Sequence, residues 1–215
     1  MSGTKIVSLL VGKPAALSHR EKTVESGINK KLAVGPLYLT TTGFAEDGQA
    51  DLVHHGGPDK AVCAYCQIHY PYWEKELERP MPHGSFGENT TLAGLSEDTV
   101  SIGDVFRMGN ALVQVSQPRQ PCYKLAWKHD LVDLPLKMES TGWTGFYFRV
   151  LEEGMVGLDD AVELVRSHPL KMTIARANEI AYRCKEDAEA MRSLLAVEEL
   201  SASWKTMLER RLSAI

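Results

Sequence analysis

All seventeen glycines of this 215-residue chain lie between Gly3 and Gly157, and Pro169 is its last proline. Glycine and proline punctuate turns and interrupt helices. The chain up to about residue 167 is therefore cut into short pieces, while the remainder is free to form continuous helix. Within the first part, KIVSLLVG, GPLYLTTTG, KAVCAYC, TVSIGDVFRMG, ALVQVSQP and AVELVRS are β-branched or alternating. The turn signals between them, such as residues 46–48 and 108–110, suit antiparallel pairing. One stretch differs: residues 68–79, IHYPYWEKELER, have the spacing of a helix starting near Pro71. No regular βα alternation of the kind that builds a parallel sheet is visible, so a mainly β fold, a barrel or a sandwich, is expected.

Beyond residue 168, Ile174, Ala177, Ile180 and Ala181 recur at helical spacing behind Thr173 as a cap. Ala188, Met191, Leu194 and Leu195 repeat the pattern, and Trp204, Met207, Leu208 and Leu212 follow Ser201. Three helices this short do not persist alone in water, so they must pack together or onto the β-rich part. The expected organisation is a β domain over residues 1–167 and a small three-helix domain over 168–215.

The formal net charge of −4 disfavours a nucleic-acid partner. No apolar run is long enough to span a membrane, no secretory leader is visible, and four unevenly spaced cysteines do not form a disulfide framework. A reducing, cytoplasmic setting is expected.

Four stretches carry possible chemistry. In VSQPRQPCYKL, residues 115–125, Pro118 and Pro121 stiffen a loop that holds Cys122 between Arg119 and Lys124, and neighbouring cations favour a thiolate. In HHGGPDKAVC, residues 54–63, a glycine-rich turn brings backbone amides near His55 and Lys60, as an anion pocket requires. A plain hairpin turn with one buried and one solvated histidine is the simpler alternative. His54 and His55, if extended, face opposite ways and cannot readily share a metal. GSFGENTTLAGL, residues 84–95, offers Asn89 and Thr90 as uncharged hydrogen-bonding groups, or is simply a polar turn. Arg149 sits in the apolar run FYFRVL, its head either solvated or on a pocket anion. Cys63 and Cys66 form a CxxC, but in a strand such residues face opposite sides and no second pair exists to complete a zinc site, so both are read as structural. Motifs for phosphate-binding loops, dinucleotides, serine hydrolases and zinc proteases are absent.

HHGGPDKAVCAY, FGEN, IGDVFRMG and QPRQPCYKL, in this order and followed by a three-helix tail, resemble the MOSC domains, named after the C-terminal domain of molybdenum-cofactor sulfurase, and in particular their bacterial YiiM-type branch. The resemblance covers essentially the whole chain. It implies a MOSC β-barrel-like domain with a pocket for the molybdenum cofactor, a metal held by the dithiolene of a phosphorylated pyranopterin. Cys122 matches the family's cysteine, as metal ligand or sulfur carrier. The associated activity is reduction of N-hydroxylated bases such as 6-N-hydroxylaminopurine, with electrons from a separate reductase.

On that basis Cys122 and His55 are the expected catalytic residues, with Cys122 also the metal ligand, and His55 supplying a hydrogen bond or a proton near neutral pH. Lys60, Asn89, Thr90, Arg119 and Arg149 are the expected cofactor-binding residues, and Cys63 is left out of the site. The three-helix tail is a possible docking surface for the reductase, or simply packs onto the barrel. Two other roles compete: a sulfur or cofactor carrier using Cys122, and a cofactor-independent cysteine hydrolase using Cys122 with His55.

Overall fold

A computed structural model describes residues 3–215. The chain runs β1 (Lys5–Val11), β2 (Ala15–His19), β3 (Lys22–Ser26), β4 (Lys31–Leu32), β5 (Leu37–Thr40), β6 (Gly43–Phe44), α1 (Leu52–His55), β7 (Val62–Cys66), α2 (Tyr70–Glu76) and β8 (Thr90–Ala93). It continues through β9 (Val105–Met108), β10 (Ala111–Pro118), α3 (Tyr123–His129), α4 (Leu134–Thr141), β11 (Phe146–Glu152), β12 (Gly154–Val156) and β13 (Val162–Arg166) to α5 (Ile174–Tyr182), α6 (Ala188–Leu195) and α7 (Ala202–Leu212).

Eight strands form the main sheet in the order β13-β9-β10-β11-β7-β8-β1-β4. Its two ends are brought together: Lys5 on β1 bridges Ala161, and the Ile6 amide donates to the Asp160 carbonyl at 3.0 Å. This contact curls the sheet into a barrel-like wall. All six alternating segments contribute a strand, and the Gly109–Asn110 turn joins β9 to β10. The exception to antiparallel pairing is β7 with β8, which run parallel. A parallel pair needs a long crossover, and residues 67–89 supply it, with α2 starting at Tyr70 and Pro71 in its first turn.

The tail helices form where the caps predict. The Thr173 side chain accepts from the Arg176 amide, and Ser201 does the same for the Trp204 amide. Asp187 caps α6 in the same way, accepting from the Ala190 amide. Their apolar faces do not build a separate core. Ile174, Ile180, Met191, Trp204 and Leu208 belong to one hydrophobic cluster with Ile6, Val113, Phe146 and Phe148 of the sheet. Packing onto the barrel, the simpler of the two expectations for the tail, therefore occurs. Trp204 is 1 % exposed at this seam, so Trp204→Ala is expected to cost about 3–5 kcal/mol, measured by urea unfolding as a lower midpoint with little change in slope.

A second cluster, including Tyr65, Trp73, Phe86, Leu125 and Met138, fills the space beneath α2, α3 and α4. Strand β7 divides the two. Val62, Ala64 and Cys66 face the main cluster, whereas Tyr65 belongs to the second. The period-two alternation of a strand thus turns Cys63 away from Cys66.

Candidate active site

A cleft of about 570 Å³, its open mouth included, forms where the β3–β4 connection, α1, β7, the start of β8, the β10–α3 loop and β11 converge. Cys122, His55, Lys60, Asn89 and Arg119 all line it. The convergence has a simple cause. Strand β7 lies between β11 and β8 in the sheet, so the ends of those strands and the loops attached to them meet.

Cys122 is half-buried and sits as the N-terminal cap of α3, with extended backbone (φ −119°, ψ 164°) and no side-chain capping bond. The stiff loop expected from the two prolines is therefore immediately followed by a helix that the sequence reading did not resolve. The loop is anchored on one side by the Arg119 amide donating to the Gly145 carbonyl at 3.0 Å, and on the other by the Leu125 amide donating to the Cys122 carbonyl at 3.0 Å.

Arg119 is 6 % exposed, yet its Nη1 has no hydrogen-bond partner among the described residues. Burial disfavours its charge, but the acidic groups of Cys63, Tyr147 and Cys122 around it hold the guanidinium above its ordinary value. A buried charged donor with no acceptor is costly and marks a place for an anionic ligand. Lys124 and Lys60 line the same cleft. The Lys60 ammonium is pushed down by burial and donates to the His54 carbonyl at 2.7 Å. A fourth cation, Lys30, is held at 2.6 and 2.7 Å by both oxygens of Asp47, so its charge is already balanced.

The cleft wall is also closely built from backbone. A Cβ on Gly27 would come within 2.2 Å of the Gly48 carbonyl, and one on Gly87 (φ +75°) within 2.7 Å of the Ile28 side chain. Lys128 reaches under this wall, donating to the Gly84 carbonyl at 2.6 Å and to the Ile28 carbonyl at 3.2 Å.

Several expectations need correction. His54 and His55 are not extended, and no hairpin turn follows. They end the short helix α1, and Pro58–Lys60 form a 3-10 turn. His54 turns outward to Asp51 at 2.9 Å, while His55 lines the cleft. Burial, then the charges of Lys124 and Arg119, push His55 down to about 4, which favours a neutral, hydrogen-bonding ring at pH 7 when no anion is bound beside it. Arg149 is neither solvated nor in the cleft. Its Nη2 and Nε meet Asp59 Oδ1 at 2.7 and 3.0 Å, and Nη1 meets Gln114. Thr90 opens β8 with its side chain fully buried, outside the cleft lining. Asn89 lines the cleft, but its amide is committed to the protein: Oδ1 accepts from the Cys63 amide, and Nδ2 donates to Asp47 and the Leu10 carbonyl. It fixes the wall instead of reaching inward.

Residues that no sequence motif marks as functional also belong here. Cys63, set aside as structural, lines the cleft, with burial pushing its thiol up. Tyr147 and the Lys30–Asp47 pair were missed. Their signal was faint, since Lys30 and Asp47 lie seventeen positions apart in loops and only the fold brings them together.

The depressed value of His55 has a measurable consequence. Between about pH 4 and the ordinary histidine value, the unfolded chain binds a proton at this position and the folded chain does not. Stability is therefore expected to fall as pH drops through that window, by about 1–2 kcal/mol for a half-buried group partly screened by solvent. His55→Gln should remove that part of the slope in paired unfolding curves, leaving the part due to His129, which burial also pushes down.

Comparison with known proteins agrees with this architecture. Residues 51–163 match the model of the MOSC domain, and residues 172–214 match that of the YiiM-like 3-alpha helix domain. The chain belongs to the MOSC family, in its YiiM-type branch. It is 40 % identical to protein YiiM of Escherichia coli over 214 residues, covering 97 % of this chain and 90 % of that one. The crystal structure of YiiM from Geobacillus stearothermophilus superposes with a TM-score of 0.84 at 42 % identity, covering 97 % of this chain and 99 % of that one. A protein of Gibberella moniliformis named "Reductase" is 34 % identical over 152 residues, 68 % of this chain and 27 % of that protein. Among the described residues, no helix is long and apolar enough to cross a membrane.

Proposed function

We propose that this MOSC protein is a molybdenum-cofactor-dependent oxidoreductase that reduces N-hydroxylated bases, such as 6-N-hydroxylaminopurine, to the amine. The carrying observation is a half-exposed thiol, Cys122, in a cleft whose buried guanidinium, Arg119, lacks a partner. The reductase name of the Gibberella relative supports the reaction class.

The residues present fit the cofactor. Its phosphate and pterin oxygens match the unpaired Arg119 Nη1 together with Lys124 and Lys60, and its flat rings suit a wall of glycine backbone. Cys122 would supply one soft sulfur ligand. Among the described residues, the group of three clustered metal donors lies elsewhere, at Cys66, His69 and Glu97. Cys122 would then hold the metal of a cofactor that brings its own dithiolene sulfurs, without a clustered set of protein donors. When bound, the cofactor supplies the two-electron redox chemistry.

The rest falls to the chain. Overall, the hydroxylamine takes up two electrons and two protons and yields the amine and water. His55, neutral at pH 7, orients the substrate through a hydrogen bond, and an anion bound beside it would raise its value toward proton transfer. The tail braces the site: the Ala202 amide donates to Asp59 at 3.2 Å, and Ser203 donates to Gln117 at 3.2 Å. We assign residues 1–167 as the cofactor-holding unit and 168–215 as its buttress. Electrons must come from a separate reductase.

The test is turnover of an N-hydroxylated base by protein purified from cofactor-making cells, given a chemical reductant, with molybdenum and pterin assayed on the same sample. Turnover at a rate proportional to molybdenum content is expected. Bound cofactor without turnover would leave the half-exposed sulfur the role of a sulfur or cofactor carrier. Activity in metal-free protein would point to a cysteine hydrolase.

A further inference from the structure

The second cysteine of the CxxC lies on the other side of β7. Cys66 meets His69, from the 3-10 turn that follows the strand, and Glu97, from the loop after β8. Their exposures are 0 %, 6 % and 1 %, and their sulfur, ring nitrogen and carboxylate oxygen lie within 4.8 Å of one another. His69 Nε2 is 2.6 Å from one Glu97 oxygen, and the Gly145 amide holds the other at 2.9 Å. The His69 ring is fixed by stacking on Trp143 at 4.5 Å. Nothing in the proposed reaction uses these groups, and burying three ionisable side chains together is unfavourable unless they are paired or share a cation.

A second observation points to a ligand. Glu97 also lines a cavity of about 860 Å³, its open mouth included, between the loop after β8, the α4–β11 connection and helices α4 and α5. Asn178, 2 % exposed, lines it too. Its Nδ2 donates to Gly142 and Thr144, but its Oδ1 has no partner. The cavity carries the carboxylates of Glu97, Asp98, Glu139 and Glu179 against two guanidiniums. Of those, Arg176 is taken by Glu179 and Arg183 by the Ser140 carbonyl. The excess of acid attracts cations.

We propose that Cys66, His69 and Glu97 form a binding site for a divalent transition-metal ion of the zinc type, entered from this cavity, with water as the fourth ligand. A thiolate, an imidazole and a carboxylate are the donors such ions select, and three of them leave one tetrahedral position open. The Gly145 amide and the Trp143 ring orient the carboxylate and the imidazole, as the supports of metal ligands do. The ion takes the place of two protons, one on sulfur and one shared between His69 and Glu97. The nitrogen–oxygen contact then widens to roughly 3.3 Å, the tetrahedral spacing of ligands about 2 Å from the metal. Ligation requires the thiolate and releases its proton, so affinity rises with pH.

The test is titration of chelator-treated full-length protein with Co²⁺, then Zn²⁺. One equivalent of Co²⁺ should produce a thiolate-to-metal charge-transfer band that Zn²⁺ displaces. The band should vanish in Cys66→Ser and survive in Cys122→Ser. Because Cys66→Ser alters a buried position, His69→Gln serves as a second variant, with metal affinity expected to fall at least about 100-fold while the band stays visible at saturation. Zn²⁺ should raise the melting temperature of the wild type and not that of Cys66→Ser. No band in the wild type, or a band that follows Cys63 or Cys122, overturns the proposal and leaves a buried hydrogen-bonded triad.

Discussion

Cys122→Ala is expected to lower turnover of an N-hydroxylated base by at least about 100-fold, with most of the molybdenum lost from the purified protein. The expectation follows from the donors the cleft offers: among the described residues the group of three clustered Cys, His and Glu donors lies elsewhere, at Cys66, His69 and Glu97, and the cleft's other thiol, Cys63, is kept protonated by burial. The fold should barely respond. Cys122 caps α3 without a side-chain bond and is only half-buried, so its loss should change stability by about 0.5 kcal/mol. The measurement is kcat beside molybdenum content and a melting curve for both proteins. Undiminished kcat per bound molybdenum would remove Cys122 from the chemistry.

Arg119→Met is expected to move binding and stability in opposite directions. The guanidinium is buried with Nη1 unpaired, so the cofactor-free protein carries a charge that nothing fully compensates. Replacing such a charge with an apolar side chain of similar length is often neutral or stabilising, by up to about 1–4 kcal/mol. The same change deletes one or two charge-assisted hydrogen bonds to an anion, each worth about 1.5–3 kcal/mol, so pterin phosphate affinity should fall roughly 100-fold. Urea unfolding of the cofactor-free protein and a phosphate-competition binding assay read the two effects separately. A large loss of stability with unchanged binding would make Arg119 a structural strut.

The parts of the fold that could be read in the sequence are those specified by local chemistry. Alternation marked six strands, Pro71 marked the start of α2, and Thr173 and Ser201 marked two tail helices, because in each case the deciding interaction spans four residues or fewer. The parallel pairing of β7 with β8 was not legible, since it depends on contacts across a crossover. Helix α3 was hidden behind Pro121, whose turn character masked the seven helical residues that follow Cys122.

The site divides the same way. QPRQPCYKL and HHGGPDK pointed to Cys122, Arg119, His55 and Lys60, and all four meet in one cleft. Asn89, Thr90 and Arg149 were chosen for side-chain chemistry alone. The structure commits the first and third to protein partners and buries the second, because a polar group near a site is as useful for building walls as for touching ligand. Cys63 is hidden for the opposite reason: a CxxC in a strand with no second pair to complete a zinc site reads as structural, and only the face it occupies reveals its place in the cleft.

The continuous apolar seam between the sheet and α5–α7 has a consequence for how such a chain can change over generations. A truncation near residue 168 would lay bare the sheet residues that Trp204, Met191 and Ile180 now cover, and would free Asp59 and Gln117 from the amide and hydroxyl that hold them. Such a chain would aggregate before its chemistry was ever put to the test. Covering the seam is thus reason enough for the tail to be present, and substitutions on its outward face should cost the centre it props up little.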